Sequence, residues 1–105
     1  MKIAMSGVGF KTSEPLRSFT RQRVLSSLGH LGGTLEIVAV QLASEGHGDD
    51  RRRHCRLLAR PGGGESLVVE EASADVREAI NGALERMARG LERSQRTDSR
   101  ATAAG

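Results

Sequence analysis

Two polar, glycine-rich runs, EGHGDD at 45–50 and PGGGES at 61–66, separate three stretches that alternate apolar and polar residues. Connections this short can only reverse the chain, so they dictate consecutive antiparallel strands. In 35–42, Val38, Val40 and Leu42 share one face, and Ile37, Ala39 and Gln41 the other. In 54–60 the alternation places Cys55, Leu57 and Ala59 inward and His54, Arg56, Leu58 and Arg60 outward. Leu67, Val68 and Val69 form the last strand of the set.

The flanking segments complete the order. Met1–Ser6 alternates around Ile3 and Met5, which reads as a short, half-buried strand leaving through a loop with Gly7, Gly9 and Lys11. Ser13 is a candidate N-cap, followed by Glu14 and a first-turn Pro15. Leu16, Thr20, Val24, Leu28 and Leu31 then fall within about 120° of arc at helical spacing. Gly32 and Gly33 are expected to end that helix. A second helix, capped by Ser73, is expected from Ala74 to about Arg96, with Val76, Ala79, Ile80, Ala83, Leu84, Met87 and Leu91 on one side. The expected fold class is therefore α/β, an α+β two-layer sandwich of order β-α-β-β-β-α. Its four-stranded sheet is mixed, because the first helix is a crossover that makes strands one and two parallel. Both helices cover one sheet face and leave the other open.

At 105 residues the chain suits a single domain, expected over 1–96, with a disordered tail at 97–105 that lacks apolar periodicity. No apolar run approaches the roughly 18 residues a membrane span needs. The N-terminus is too broken by glycine for a signal peptide. One cysteine, Cys55, excludes an internal disulfide and fits a reducing compartment, so the expected location is cytoplasmic.

Charge points toward a partner. Of 16 basic residues only Lys2 and Lys11 are lysine; the rest are arginine, whose planar donor fork matches phosphate. Arg86, Arg89, Arg93 and Arg96 form a stripe beside the apolar face of the second helix. Such a row can follow a phosphate backbone, or it can be a solvated flank stabilised by Glu85–Arg89 and Glu92–Arg96 pairs. On the first helix Phe19, Arg23 and His30 share a flank, where Phe19 can be either a base-stacking ring or the margin of the core. Arg51, Arg52, Arg53, Arg56 and Arg60 make the densest basic segment, which equally suits RNA contact or protection of a strand against edge-to-edge pairing. Tyr and Trp are absent, so a sheet that stacks several bases on aromatics is excluded, and any RNA would be bound through backbone and shape.

Enzymatic readings are weak. GVGFKT follows a strand, but Thr12 stands where a dinucleotide loop requires its third glycine. His54 and Cys55 are strand neighbours and point to opposite faces, which precludes a nucleophile–base pair. Three histidines and one cysteine show no zinc spacing. No enzyme activity, cofactor, metal or small-molecule substrate is expected.

The element order, together with MKIAMSG, SEPLRSF, HCRLLA and VVEEASADVREAINGALERM, resembles the ribosome-hibernation family that includes hibernation-promoting factor and protein Y. The similarity runs from about Met1 to Arg93 and is most specific over Val68–Arg93. The chain departs from the family in Arg77, where an aromatic is usual, in a shorter second hairpin loop, and in RRRHC before the third strand. It resembles the short form, without a further dimerisation domain. The resemblance implies a fold similar to double-stranded-RNA-binding domains and a non-enzymatic inhibitor that binds the small ribosomal subunit through ribosomal RNA. It also implies blocking of messenger and transfer RNA during stress, by a protein that is a monomer or weak dimer off the ribosome. Arg23, Arg86 and Arg89 fall where the family carries basic residues. The candidate RNA-binding set is Arg23, His30, Arg53, Arg56, Arg60, Arg86, Arg89 and Arg93. The alternative is a protein-interaction module that pairs through the open sheet face or an edge strand without RNA.

Overall fold

The computed structural model describes residues 1–46 and 48–104, with side chains described as far as Ser94 except that of residue 47. In chain order the elements are β1 (Lys2–Val8), α1 (Glu14–Leu28), a 3₁₀ turn (Gly29–Leu31), β2 (Leu35–Glu45), a second 3₁₀ turn (Gly48–Asp50), β3 (Arg52–Pro61), β4 (Leu67–Ser73) and α2 (Val76–Ala104). The four strands form one sheet in the order β1-β2-β3-β4. β1 pairs parallel with β2, and β2–β3 and β3–β4 are antiparallel, as the connection lengths dictate.

Parity assigns the faces. Ile3 and Met5 align with Val38 and Val40. Val40 stands opposite Leu57, which stands opposite Val69. These residues look toward the helices, and Val38, Val40, Leu42, Cys55, Leu57 and Ala59 are fully buried there. From α1 the buried residues are Leu16, Thr20, Val24 and Leu28. From α2 they are Ala79, Ile80, Ala83, Leu84, Met87 and Leu91. One core thus lies between the sheet and a two-helix layer, and the other sheet face is open. Thr20, the buried polar residue of α1, donates its hydroxyl to Leu16 O at 2.8 Å, so its burial leaves no unmet donor.

The helix ends differ from the sequence expectation. α1 stops at Leu28 and tightens into the 3₁₀ turn, which continues the chain to Leu31 before Gly32. At its start Ser13 does cap, accepting from Leu16 N at 3.3 Å. α2 begins at Val76 because β4 extends to Ser73, and the carboxylate of Asp75 accepts from Arg77 N at 2.8 Å. Ser73 supports that cap by accepting from Asp75 N and donating to Glu78 Oε2. α2 runs on to Ala104 instead of ending near Arg96. Residues 92–104 contain no Gly or Pro, and their Arg, Gln, Glu and Ala are good helix formers, so nothing local ends it.

α2 is seated low over β4. A Cβ added to Gly90 would lie 2.7 Å from Leu67 Cδ2, and one on Gly82 would lie 2.9 Å from Glu71 Cγ. Two positions without side chains on one flank therefore bring that helix, and the arginines beside them, close to the sheet edge.

Candidate nucleic-acid interface

The eight candidate basic residues do not share one surface, because the sheet separates them. Arg56 and Arg60 alternate outward from β3 onto the open face with His54, as parity required. There Arg56 Nε lies 3.8 Å from Glu70 Oε1 on β4, and Arg60 Nε lies 3.2 Å from Glu36 Oε2. All four side chains are more than half exposed, so these pairs stabilise little, but each partner offsets the other's charge. Among them Ala4, Ala39, Gln41 and Leu58 line a shallow depression of about 260 Å³. On the open face the charges of Arg56 and Arg60 are thus each opposed by a carboxylate.

Arg53 has the opposite parity. It sits at the end of the sheet on the helix side, where Nη1 donates to Ser44 Oγ and the guanidinium lies 5.1 Å from the centre of the Phe10 ring. His30 is exposed in the 3₁₀ turn that follows α1.

The remaining candidates lie on the helix layer. Arg86, Arg89 and Arg93 line one groove between α2 and β4, floored by Leu67 and Val69. Within that row Arg86 is tied down: its Nη1 donates to Glu70 O at 2.6 Å and to Glu71 Oε2 at 3.1 Å. Arg89 is exposed and, among the described residues, forms no ion pair; the Glu85–Arg89 pair that would have made it a merely solvated flank is not formed.

At the seam of the two helices Arg23, half-buried, donates from Nε to Asn81 Oδ1 at 2.9 Å. One turn away Arg77 lays its guanidinium over the Phe19 ring, 4.8 Å from its centre. Neither arginine has a carboxylate partner among the described residues. Arg77 and Asn81 are absent from the sequence-derived set. The available signal was that Phe19 and Arg23, and likewise Arg77 and Asn81, are four residues apart and so each share a helix face. That these two faces meet is a property of the packed helices, which neither segment carries by itself.

Cys55 offers no chemistry here. It is fully buried, and burial, reinforced by the charge of Glu71, pushes its thiol up to about 12. Among the described residues no group of His, Cys, Asp and Glu is disposed to hold a metal ion, and no helix is long and apolar enough to cross a membrane.

Residues 3–98 match the family described as sigma 54 modulation protein / S30EA ribosomal protein. In fold the chain is similar to the Protein Y N-terminal domain of Thermus thermophilus, with TM-score 0.74 and 22% identity, covering 89% of this chain and 98% of that one. It is also similar to a ribosomal subunit interface protein of Coxiella burnetii, with TM-score 0.74 and 14% identity, covering 90% and 98%. No curated protein sequence matches the chain.

Proposed function

The chain belongs to the sigma 54 modulation protein / S30EA ribosomal protein family, a family of ribosome-associated, non-enzymatic proteins, and on that premise we propose that it inhibits translation by binding ribosomal RNA of the small subunit. The observation that carries this reading is that several arginines of the helix layer form no ion pair with a carboxylate among the described residues, Arg23, Arg77 and Arg89 among them. Guanidinium groups in this state gain most from phosphate, through charge-assisted and often bidentate hydrogen bonds.

In this reading the sheet and core act as a rigid mount, and residues 1–96 form the binding domain. Arg23 is fixed by Asn81 and Arg77 by Phe19, so each gives up less side-chain freedom on meeting a phosphate. Arg93 and His30 extend the contact toward the C-terminal ends of the two parallel helices, and Arg53 joins it from the end of the sheet. Seated in the cleft of the small subunit, such a wedge excludes messenger and transfer RNA by occupying their path. Arg56 and Arg60, already paired with Glu70 and Glu36, contribute least.

Sedimentation of the purified protein with small subunits through a sucrose cushion tests this. Co-sedimentation that messenger and transfer RNA suppress is expected, and Arg23→Glu combined with Arg89→Glu should abolish it without unfolding the protein. Association that both substitutions leave intact would shift the case to the open sheet face and a protein partner.

A further inference from the structure

Taking RNA as the partner, as above, we propose that the seam between α1 and α2 is a preformed site for one unpaired nucleotide, whose base stacks on the outer face of Arg77 and whose phosphate meets Arg23. Phe19 is one of two aromatic residues in the chain. It packs against the core and its ring is covered by the Arg77 guanidinium, so it has no open face to offer a base. The surface that the stack presents to solvent is the guanidinium itself, planar, exposed and without a carboxylate partner among the described residues. Arginine planes stack on RNA bases much as aromatic rings do, and a ring beneath holds the plane flat.

Arg23 supplies the second half. Its Nε is committed to Asn81 Oδ1, which fixes the guanidinium plane, and the bond leaves the terminal nitrogens to other acceptors. Phe19 and Arg23 are one turn apart on α1, as are Arg77 and Asn81 on α2. The Phe19–Arg77 and Arg23–Asn81 pairs are thus stepped along the seam by one helical turn, about 5.4 Å of axial rise, which puts a stacking plane and a phosphate donor side by side. A duplex keeps its bases stacked inside, so this site selects a single-stranded or bulged nucleotide over a paired one.

The test uses the full-length chain and two RNA octamers of equal phosphate count, one of adenosines and one abasic on the same sugar–phosphate backbone, titrated by fluorescence anisotropy. The adenosine octamer is expected to bind between about 5- and 150-fold more tightly, the range for stacking one base. Arg77→Lys keeps the charge but loses the plane, and should bring both octamers to the abasic value. Arg89→Gln, away from the seam, should weaken both equally and preserve their ratio. Equal binding of the two octamers by the unaltered protein, or an adenosine advantage that survives Arg77→Lys, would overturn the site while leaving the ribosome reading intact. Failure to bind either octamer also overturns it, and the broader RNA reading falls only if sedimentation with the small subunit fails as well.

Discussion

Arg86 donates from Nη1 to the backbone oxygen of Glu70, 2.6 Å away, and so ties α2 to the outer edge of β4, whereas Arg89, three residues on, has no such tie among the described residues. The two are neighbours in a helical projection, about 60° apart, and different in role. Arg86→Ala should cost roughly 0.5–1 kcal/mol, the lower part of the range for a hydrogen bond because the site is exposed. For a domain of this size that is a fall of a few degrees in Tm, on the scale of about 4–8 °C per kcal/mol. Arg86→Glu should cost more, since it sets a third carboxylate beside Glu70 and Glu71. Arg89→Glu should leave Tm within about 2 °C and lower affinity for the small subunit at least tenfold. Calorimetry and pelleting on the same preparations separate the two roles.

The glycines beside the helices differ in what their replacement would meet. A Cβ on Gly7 would overlap the backbone oxygen of Phe10, which cannot move without reshaping the loop into α1. A Cβ on Gly90 meets only the end of the Leu67 side chain, which can rotate away. Gly7→Ala should therefore destabilise by about 1–3 kcal/mol, as overpacking does. Gly90→Ala should fall near zero, because Ala gains about 0.5–1 kcal/mol in a helix interior and offsets the displacement of Leu67. Urea unfolding of both variants checks the contrast, and an unchanged midpoint for Gly7→Ala would contradict the close approach.

The raised pKa of Cys55 carries a pH dependence of definite sign. The folded state holds the thiol proton up to about pH 12, while the unfolded chain releases it from the ordinary value of 9.0. Between these limits the native state binds more protons, so stability falls as pH rises through that window and is unaffected below it. Cys55→Ala should flatten the alkaline part of the stability profile while lowering the whole curve through poorer packing. A disulfide reagent at pH 8 should label the native protein only at its unfolding rate; rapid labelling would show that the side chain is accessible.

How much was legible in the sequence follows from which interactions are local. Strand parity needs only alternation, so the inward set from Val38 to Ala59 and the outward Arg56 and Arg60 could be read directly. The parallel β1–β2 pair followed from the length of the crossover. Less was recoverable where one element completes another. Strand alternation alone places Arg56 on the open face, but it takes the β3–β4 register to set Glu70 opposite and offset its charge. Ser73 was a sound cap by composition, yet β4 extends through it and Asp75 takes the position. Arg77 was visible only as a departure from the family pattern until α1 brought Phe19 beneath it.

The division of arginines between two faces makes a prediction that salt can test. Removing one cationic partner of a phosphate from a complex should reduce the slope of log K against log salt by about 0.7–0.9. Arg89→Gln removes an uncompensated charge from the helix layer and should lower the slope by that amount, together with the affinity at every salt concentration. Arg56→Gln removes a charge already opposed by Glu70 on the far side of the sheet, and should change neither the slope nor the affinity appreciably. Measured on small subunits between about 50 and 200 mM salt, the wild-type protein should weaken in affinity by one or more orders of magnitude if several arginines act together. A shallow wild-type slope, or one that responds to Arg56→Gln and not to Arg89→Gln, would place the binding surface on the open sheet and remove the helix layer from the mechanism.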